Sequence, residues 1–202
     1  IHSMLAEEKT LFDFQASLPM AETASIFSEM LLEEEMLKRG MPKDEEISLL
    51  ATQIDGIYAS VIRQAYFVMF EKKAHEIIQN GATIDDLNRE WMRNLEEQFG
   101  DSVEITDTFK HEWKYVPHIY HSPFYCYAYA FGNLLVLSLF KIYKKEGKNF
   151  AKKYIKILSY GGGESPEKIL KEVRIDIKSE KFWQGGFDLV QEMIDKLKKR
   201  LN

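Results

Sequence analysis

Apolar residues recur at three- and four-residue steps along most of this chain. In the stretch 42–80 the series Ile47, Leu50, Ile54, Ile57, Val61, Ala65 and Val68 marks one helical face. That periodicity predicts one helix across the stretch, stopped by Gly81. Residues 1–8 read as the end of a helix and 9–18 as a loop anchored by Phe12 and Phe14. Residues 19–39 predict a helix that starts at Pro19, whose fixed φ suits a first helical position, and stops at Gly40. Thr83 and Asp86 have the spacing of a capping box, and Leu87, Trp91 and Leu95 stripe the helix up to Gly100. A polar loop follows over 101–108, then a short helix over 109–113. Val116 precedes Pro117 and is expected to be extended. Ser122 as cap and Pro123 as first residue predict a long helix reaching about Lys145. Gly147 breaks it, and a further helix covers 149–158. Gly161, Gly162 and Gly163 break the chain again, Ser165 and Pro166 start a short helix, and 179–201 form the last one. No segment shows the two-residue alternation of a strand. The fold class is therefore all-α.

Composition narrows the picture. The 202 residues suffice for one or two compact domains, and 45 % hydrophobic with 29 % charged residues is an ordinary globular balance. A net charge of −5 argues against nucleic acid and anionic membranes as partners. Cys126 is the one cysteine, which rules out an intrachain disulfide and a cysteine-based zinc site and fits a reducing compartment. Residues 122–140 carry no charge and approach membrane-span length. Gly132 and Asn133 in the middle, and tyrosines crowded at one end, favour a buried core helix instead. Ile1, His2, Ser3, Met4 and Leu5 lack the order of a signal peptide. They read as the tail of a helix already under way, so the chain is expected to be a fragment.

Two places could carry chemistry. Glu22 sits among Ala21, Thr23, Ala24, Ser25 and Ile26, and helical spacing puts Glu22, Ile26 and Glu29 on one face. A glutamate facing a core must pair, protonate or bind a metal, but a helix-start glutamate beside the dipole's positive end has the same spacing. The second place is 118–129, where His118, Tyr120, His121, Tyr125, Tyr127 and Tyr129 crowd together. Tyr125 and Tyr129 share a face at i, i+4, and Tyr127 points roughly opposite. Phenols beside an imidazole can donate to a developing oxyanion, and aromatic core packing would use the same residues. His118 and His121 are spaced for one metal on a helix, but Pro117 and Pro123 argue against a regular helix there. Arg63 and His75 read as surface or satisfied polar groups, and Glu33, Glu34 and Glu35 as a solvated face. The chain has no Gly-rich phosphate loop, no G-x-S-x-G and no HExxH.

The segment AETASIFSEMLL at 21–32 resembles the one that follows the zinc motif in oligoendopeptidase F, a branch of the thimet-oligopeptidase-like metallopeptidases. Ile1, His2 and Ser3 resemble the end of that family's HExGHxxHS pattern. Val61-Ile62-Arg63-Gln64 and Phe70-Glu71 resemble its long-helix pattern. Trp113, then Pro117-His118-Ile119-Tyr120 and Phe124 through Gly132, resemble its W…PHFY…FYVYQYATG, and Tyr160-Gly161-Gly162-Gly163 with Pro166 resembles its GGS…P segment.

The resemblance implies a multi-helix catalytic-domain portion of a zincin-like oligopeptidase, with long helices around a peptide channel, spanning 1–202 as a C-terminal part. It implies one Zn2+ held by two histidines of HExxH, expected upstream of Ile1, and by a glutamate on the next helix, which matches Glu22. Glu29 matches a glutamate that orients a ligand histidine. The HExxH glutamate is the family's general base. His118 and the tyrosines after it match the segment that binds substrate backbone and stabilises the tetrahedral intermediate; Tyr125 and Tyr129 are preferred for that role and Tyr127 is held in reserve. The implied partners are short peptide substrates and the N-terminal part of the same protein, with no nucleic acid and no membrane, in the cytoplasm. Lacking a base and two ligands, the chain alone is expected not to hydrolyse peptides. The alternative is a non-catalytic helical protein on the same scaffold that binds peptides or a partner through its tyrosines.

Overall fold

Some helix boundaries fall where a side chain satisfies the end groups or where φ turns positive. In the computed structural model, which describes residues 1–202, Thr83 accepts from the Asp86 amide while the Asp86 carboxylate accepts from the Thr83 amide at 2.7 Å. Ser165 caps its helix through the Lys168 amide, with Pro166 in the first turn. Gly40, Gly81 and Gly100 end helices at φ of +83°, +82° and +55°.

The elements are α1 (His2–Leu5), a 3₁₀ turn (Leu18–Met20), α2 (Thr23–Arg39), α3 (Lys43–Ile57), a π turn (Tyr58–Ile62) and α4 (Arg63–Gln79). They continue with α5 (Ile84–Phe99), a 3₁₀ segment (Asp107–Tyr115), α6 (Pro117–His121), α7 (Tyr127–Glu146), α8 (Asn149–Leu158), α9 (Pro166–Glu172) and α10 (Glu180–Leu201). There is no strand, so the all-α expectation holds. The chain divides into two compact units, one made of Ile1–Ile57 with Phe131–Asn202, the other of Tyr58–Ala130.

The unit Tyr58–Ala130 is built on α4 and α5. Phe67, Phe70 and Ala74 of α4 pack with Leu87, Trp91 and Leu95 of α5, and Trp113, Val116 and Cys126 complete the core. Trp91 is fully buried, with the Phe70 ring edge-on at 4.8 Å. Truncating such a residue to alanine costs about 3–5 kcal/mol. Two buried asparagines stitch the layers: Asn88 accepts from the Trp113 indole at 3.0 Å, and Asn94 donates to the Tyr66 carbonyl at 3.0 Å.

The other unit has its core around Phe27 of α2, which touches Phe140, Tyr143, Phe150 and Tyr154 with centroids 4.2 to 6.1 Å away. Leu135, Val136, Leu137, Ser138, Leu139 and Phe140 of α7 are all buried. Burial on every side explains why this part of α7 carries no charge; the charged residues of the helix, Lys141, Lys144, Lys145 and Glu146, all come after it. No helix is long and apolar enough to cross a membrane. The Tyr154 hydroxyl donates to the Thr23 carbonyl at 2.8 Å. Glu46, at the start of α3, is buried and paired with Lys196 and Arg200 of α10, each at 2.9 Å. Gly161, at φ +53°, lies so close to the loop before α2 that a Cβ there would sit 2.1 Å from the Asp13 carbonyl oxygen. The Gly162 amide donates to that same oxygen at 2.8 Å.

Four expectations need correction. The single helix over 42–80 contains a π turn at Tyr58–Ile62, where one extra residue per turn shifts the phase of the apolar stripe. The helix over 19–39 begins at Thr23; Pro19 opens the 3₁₀ turn instead. Phe12 does not anchor its loop, being 93 % exposed. Ser122 and Pro123 do not start a helix. Pro117 takes the first position of α6, Ser122 follows its last residue, and α7 begins only at Tyr127.

Candidate functional site

The aromatic cluster of the Tyr58–Ala130 unit arises from a tight turn between two helices. Val116 is extended at φ −84° and ψ 97°, as a residue before proline must be. Pro117 then opens α6, and His118 is its second residue. The Ser122 amide bonds back to the His118 carbonyl at 3.1 Å, closing α6. Two residues on, Phe124 adopts φ +60°, a left-handed conformation that side chains seldom take. That bend sends the chain into α7, whose first turn carries Tyr129.

Three rings meet as a result. Tyr125 stacks on His118 with centroids 5.4 Å apart and planes at 21°. Tyr129 stands edge-on to both, at 5.5 Å from His118 and 5.1 Å from Tyr125. The Tyr129 hydroxyl oxygen lies 3.2 Å from Nε2 of His118. His118, Tyr125 and Tyr129 are half-buried, so the cluster is packed yet reachable. With its proton on Nε2, the imidazole donates to the phenol oxygen, and the phenol O–H is then a donor for an incoming oxygen.

The structure does not bring Tyr127 into this cluster; it is 47 % exposed. Tyr120 faces Trp113 instead, at 6.5 Å, and burial pushes its phenol pKa up. His118 and His121 do share one short helix, against the expectation from the flanking prolines, because Pro117 is at its first position and Pro123 lies beyond its end. Cys126 is buried and its thiol is raised to about 11, first by burial and then by the Glu71 carboxylate. It is therefore no nucleophile.

Glu71 has a place in the long-helix resemblance, but the sequence assigns it no role of its own. Its side chain is buried at 1 % exposure, and its Oε1 accepts the Phe124 amide at 2.8 Å. The signal was present: Glu71 falls on the same helical face as Phe67, Phe70 and Ala74, in the middle of an apolar stripe.

The other candidate group lies in the unit that carries α2. Glu22 immediately precedes α2, at φ −86° and ψ 2°, and makes no capping bond with its side chain. It is exposed, contrary to the expectation that it faces a core; the 3₁₀ turn at Leu18–Met20 places Met20 and Thr23 inside and Glu22 between them outside. The Ser25 hydroxyl donates to its Oε2 at 2.6 Å and so steadies the carboxylate. Next to it, the His2 ring bonds to the Ala21 backbone, and burial lowers the pKa of that ring and favours the neutral form. Glu29 lies two turns further along α2 and is exposed.

Zinc takes three or four protein ligands in a tetrahedral set. No group of three His, Cys, Asp or Glu side chains in this chain is placed to hold a metal ion. The residues fit a contribution of one carboxylate from Glu22, not a complete site.

Residues 1–189 match the model of peptidase family M3. The oligoendopeptidase F homolog of Borreliella burgdorferi is 30 % identical over 202 residues, covering 98 % of this chain and 34 % of that protein. Oligopeptidase PepF of Bacillus subtilis is 29 % identical, covering 92 % and 28 %. Among solved structures, a putative peptidase from Chlamydophila abortus superposes with a TM-score of 0.89 at 29 % identity, covering 98 % of this chain and 34 % of that one. Oligoendopeptidase-F from Enterococcus faecium shares the fold, with a TM-score of 0.79 at 21 % identity over 99 % and 37 %. The chain spans about a third of the length of these proteins.

Proposed function

The chain belongs to peptidase family M3, and on that premise we propose that it is the C-terminal part of the catalytic domain of a zinc-dependent oligoendopeptidase that hydrolyses short peptides at internal bonds. The names of its relatives support the substrate class. Its coverage of about a third of their length supports its being one part of a larger catalytic domain, completed by an N-terminal part of the same protein. The net charge of −5 and the lone buried cysteine are in keeping with a cytoplasmic enzyme whose partners are peptides rather than nucleic acid or membrane.

The observation that carries the reading is the His118, Tyr125 and Tyr129 cluster. A hydroxyl 3.2 Å from an imidazole, on a half-buried face, is a donor pair suited to a carbonyl oxygen that gains negative charge during amide hydrolysis. In this role Tyr129 donates to the oxyanion, His118 holds the phenol in place, and Tyr125 fixes the imidazole plane by stacking. Tyr127, exposed two residues from Tyr125 and from Tyr129, contacts the peptide rather than the reacting atoms.

Glu22 supplies one carboxylate ligand to the Zn2+, with Ser25 steadying that carboxylate through Oε2. Glu29 acts on a ligand histidine rather than on the metal. When bound, the zinc supplies Lewis acidity that polarises the scissile carbonyl and makes water acidic enough to attack it. The two histidine ligands and the general base come from chain outside these 202 residues.

The experiment is an endopeptidase assay on a quenched-fluorescence peptide of about eight residues. The full-length protein cleaves it and loses activity to a chelator, and the 202-residue chain alone does not cleave it. A full-length protein that binds the peptide without cleaving it or holding zinc supports a non-catalytic binding role instead and overturns the proposal.

A further inference from the structure

Phe124 adopts φ +60° although it is not glycine. For an L-residue that conformation costs on the order of 1–2 kcal/mol and persists only where the surroundings enforce it. The enforcing group is identifiable. Glu71, buried at 1 % exposure in α4, accepts the Phe124 amide at 2.8 Å. One helical turn later on the same face, the His75 ring lies against the Phe124 ring, with centroids 4.9 Å apart. Thus α4 grips this one residue at both its backbone and its side chain. The residue that follows it is Tyr125, and Tyr125 stacks on His118.

We propose that Glu71 is a positioning residue for the His118, Tyr125 and Tyr129 cluster, acting through the Phe124 amide. This deepens the peptidase reading and rests on it. A hydrogen bond to a carboxylate is roughly twice as strong as one between neutral groups. Glu71 spends its buried charge on a single backbone N–H at the point where the chain bends between α6 and α7. With Glu71 gone, Phe124 relaxes toward negative φ, and the direction in which the chain leaves the turn changes. Tyr125 then leaves the face of His118, and Tyr129 loses the neighbour that fixes the imidazole plane. In this proposal the effect of Glu71 reaches the rings through the backbone at Phe124.

Glycine takes positive φ without a penalty. A glycine at 124 therefore restores the bend without needing the carboxylate, and Phe124 is exposed enough, at 44 %, to be replaced without emptying a core. The test is carried out in the full-length protein with Glu71→Ala, Glu71→Gln and the double variant Glu71→Ala with Phe124→Gly. Two readouts are taken: kcat and KM on a short peptide, and the ring-proton shift of His118 in carbon-13 histidine-labelled protein, which senses the stacked Tyr125.

Glu71→Ala is expected to lower kcat ten- to hundredfold with KM changed less than threefold, and to erase the ring-current shift of His118. Glu71→Gln falls between it and the wild type. The double variant recovers at least a third of the lost kcat and regains the shift. A loss of kcat without recovery in the double variant, or a His118 shift unmoved by Glu71→Ala, overturns the proposal. Should Glu71→Ala fail to fold, Glu71→Gln with and without Phe124→Gly decides in the same way. If the wild type cleaves no peptide, the peptidase reading fails, while the His118 shift still decides whether Glu71 sets the ring stack.

Discussion

The Tyr129 hydroxyl lies 3.2 Å from Nε2 of His118, although eleven residues and a change of helix separate them. The contact exists because α6 ends at His121 and the chain turns left-handed at Phe124 before α7 begins. Neither ring would meet the other on one continuous helix. The pair follows from a broken helix.

Replacing Tyr129 with phenylalanine keeps the ring contacts and removes only the hydroxyl. In the full-length protein kcat on a short peptide should fall about 10²-fold, the usual scale for one oxyanion donor, with KM nearly unchanged. Tyr125→Phe keeps the stack on His118 and should cost less than tenfold. Steady-state kinetics on both variants check the order; equal losses would show that the hydroxyl of Tyr129 has no special place.

A steric prediction concerns Gly161. An alanine there would put its Cβ 2.1 Å from the Asp13 carbonyl oxygen and would have to adopt φ +53°. Gly161→Ala should destabilise the protein by about 2–4 kcal/mol, overpacking and left-handed backbone combined. Gly81 also has positive φ, +82°, but faces open space, so Gly81→Ala should cost only about 1–2 kcal/mol. Urea unfolding midpoints of the two variants separate the clash from the conformation.

Acid should weaken the junction of α3 and α10. Hydrogen bonds from Lys196 and then Arg200 hold the Glu46 carboxyl below its usual range, against the opposing effect of burial. A carboxylate with a depressed native pKa contributes stability that is fully present above its unfolded value, near 4.5, and is lost as pH falls through the native one. The melting temperature of Glu46→Gln should therefore lie below that of the wild type at pH 7, with the gap closing as pH drops below 4. A gap that stays constant down to pH 3 would contradict the pairing.

Much of this was legible in the sequence, and the exceptions have physical causes. The capping box at Thr83 and the Ser165–Pro166 start were readable because both are local, set by residues three apart. The π turn at Tyr58–Ile62 was not, since three- and four-residue steps continue through it and one inserted residue only shifts their phase. Ser122-Pro123 and Val116-Pro117 offer the same local signal for a helix start. After Pro123 the chain bends at Phe124, whose amide is held by Glu71, fifty-three positions away, and no local signal shows that contact. The i, i+4 spacing predicts that Tyr125 and Tyr129 share a face, and only their crowding and the family resemblance link His118 to them; in the structure Tyr125 lies outside the helix and joins the group through the turn. Glu22 is expected against a core and stands in solvent, because the chain before α2 is the 3₁₀ turn Leu18–Met20 and not a continuous α-helix from Pro19.

The central claim is that Glu22 holds zinc, and metal content tests it most directly. Full-length protein purified without chelator is predicted to carry one zinc per chain by atomic emission, and Glu22→Gln to carry less than a tenth of that while keeping its circular dichroism and melting temperature. A Glu22→Gln protein that retains its full zinc content would contradict the account.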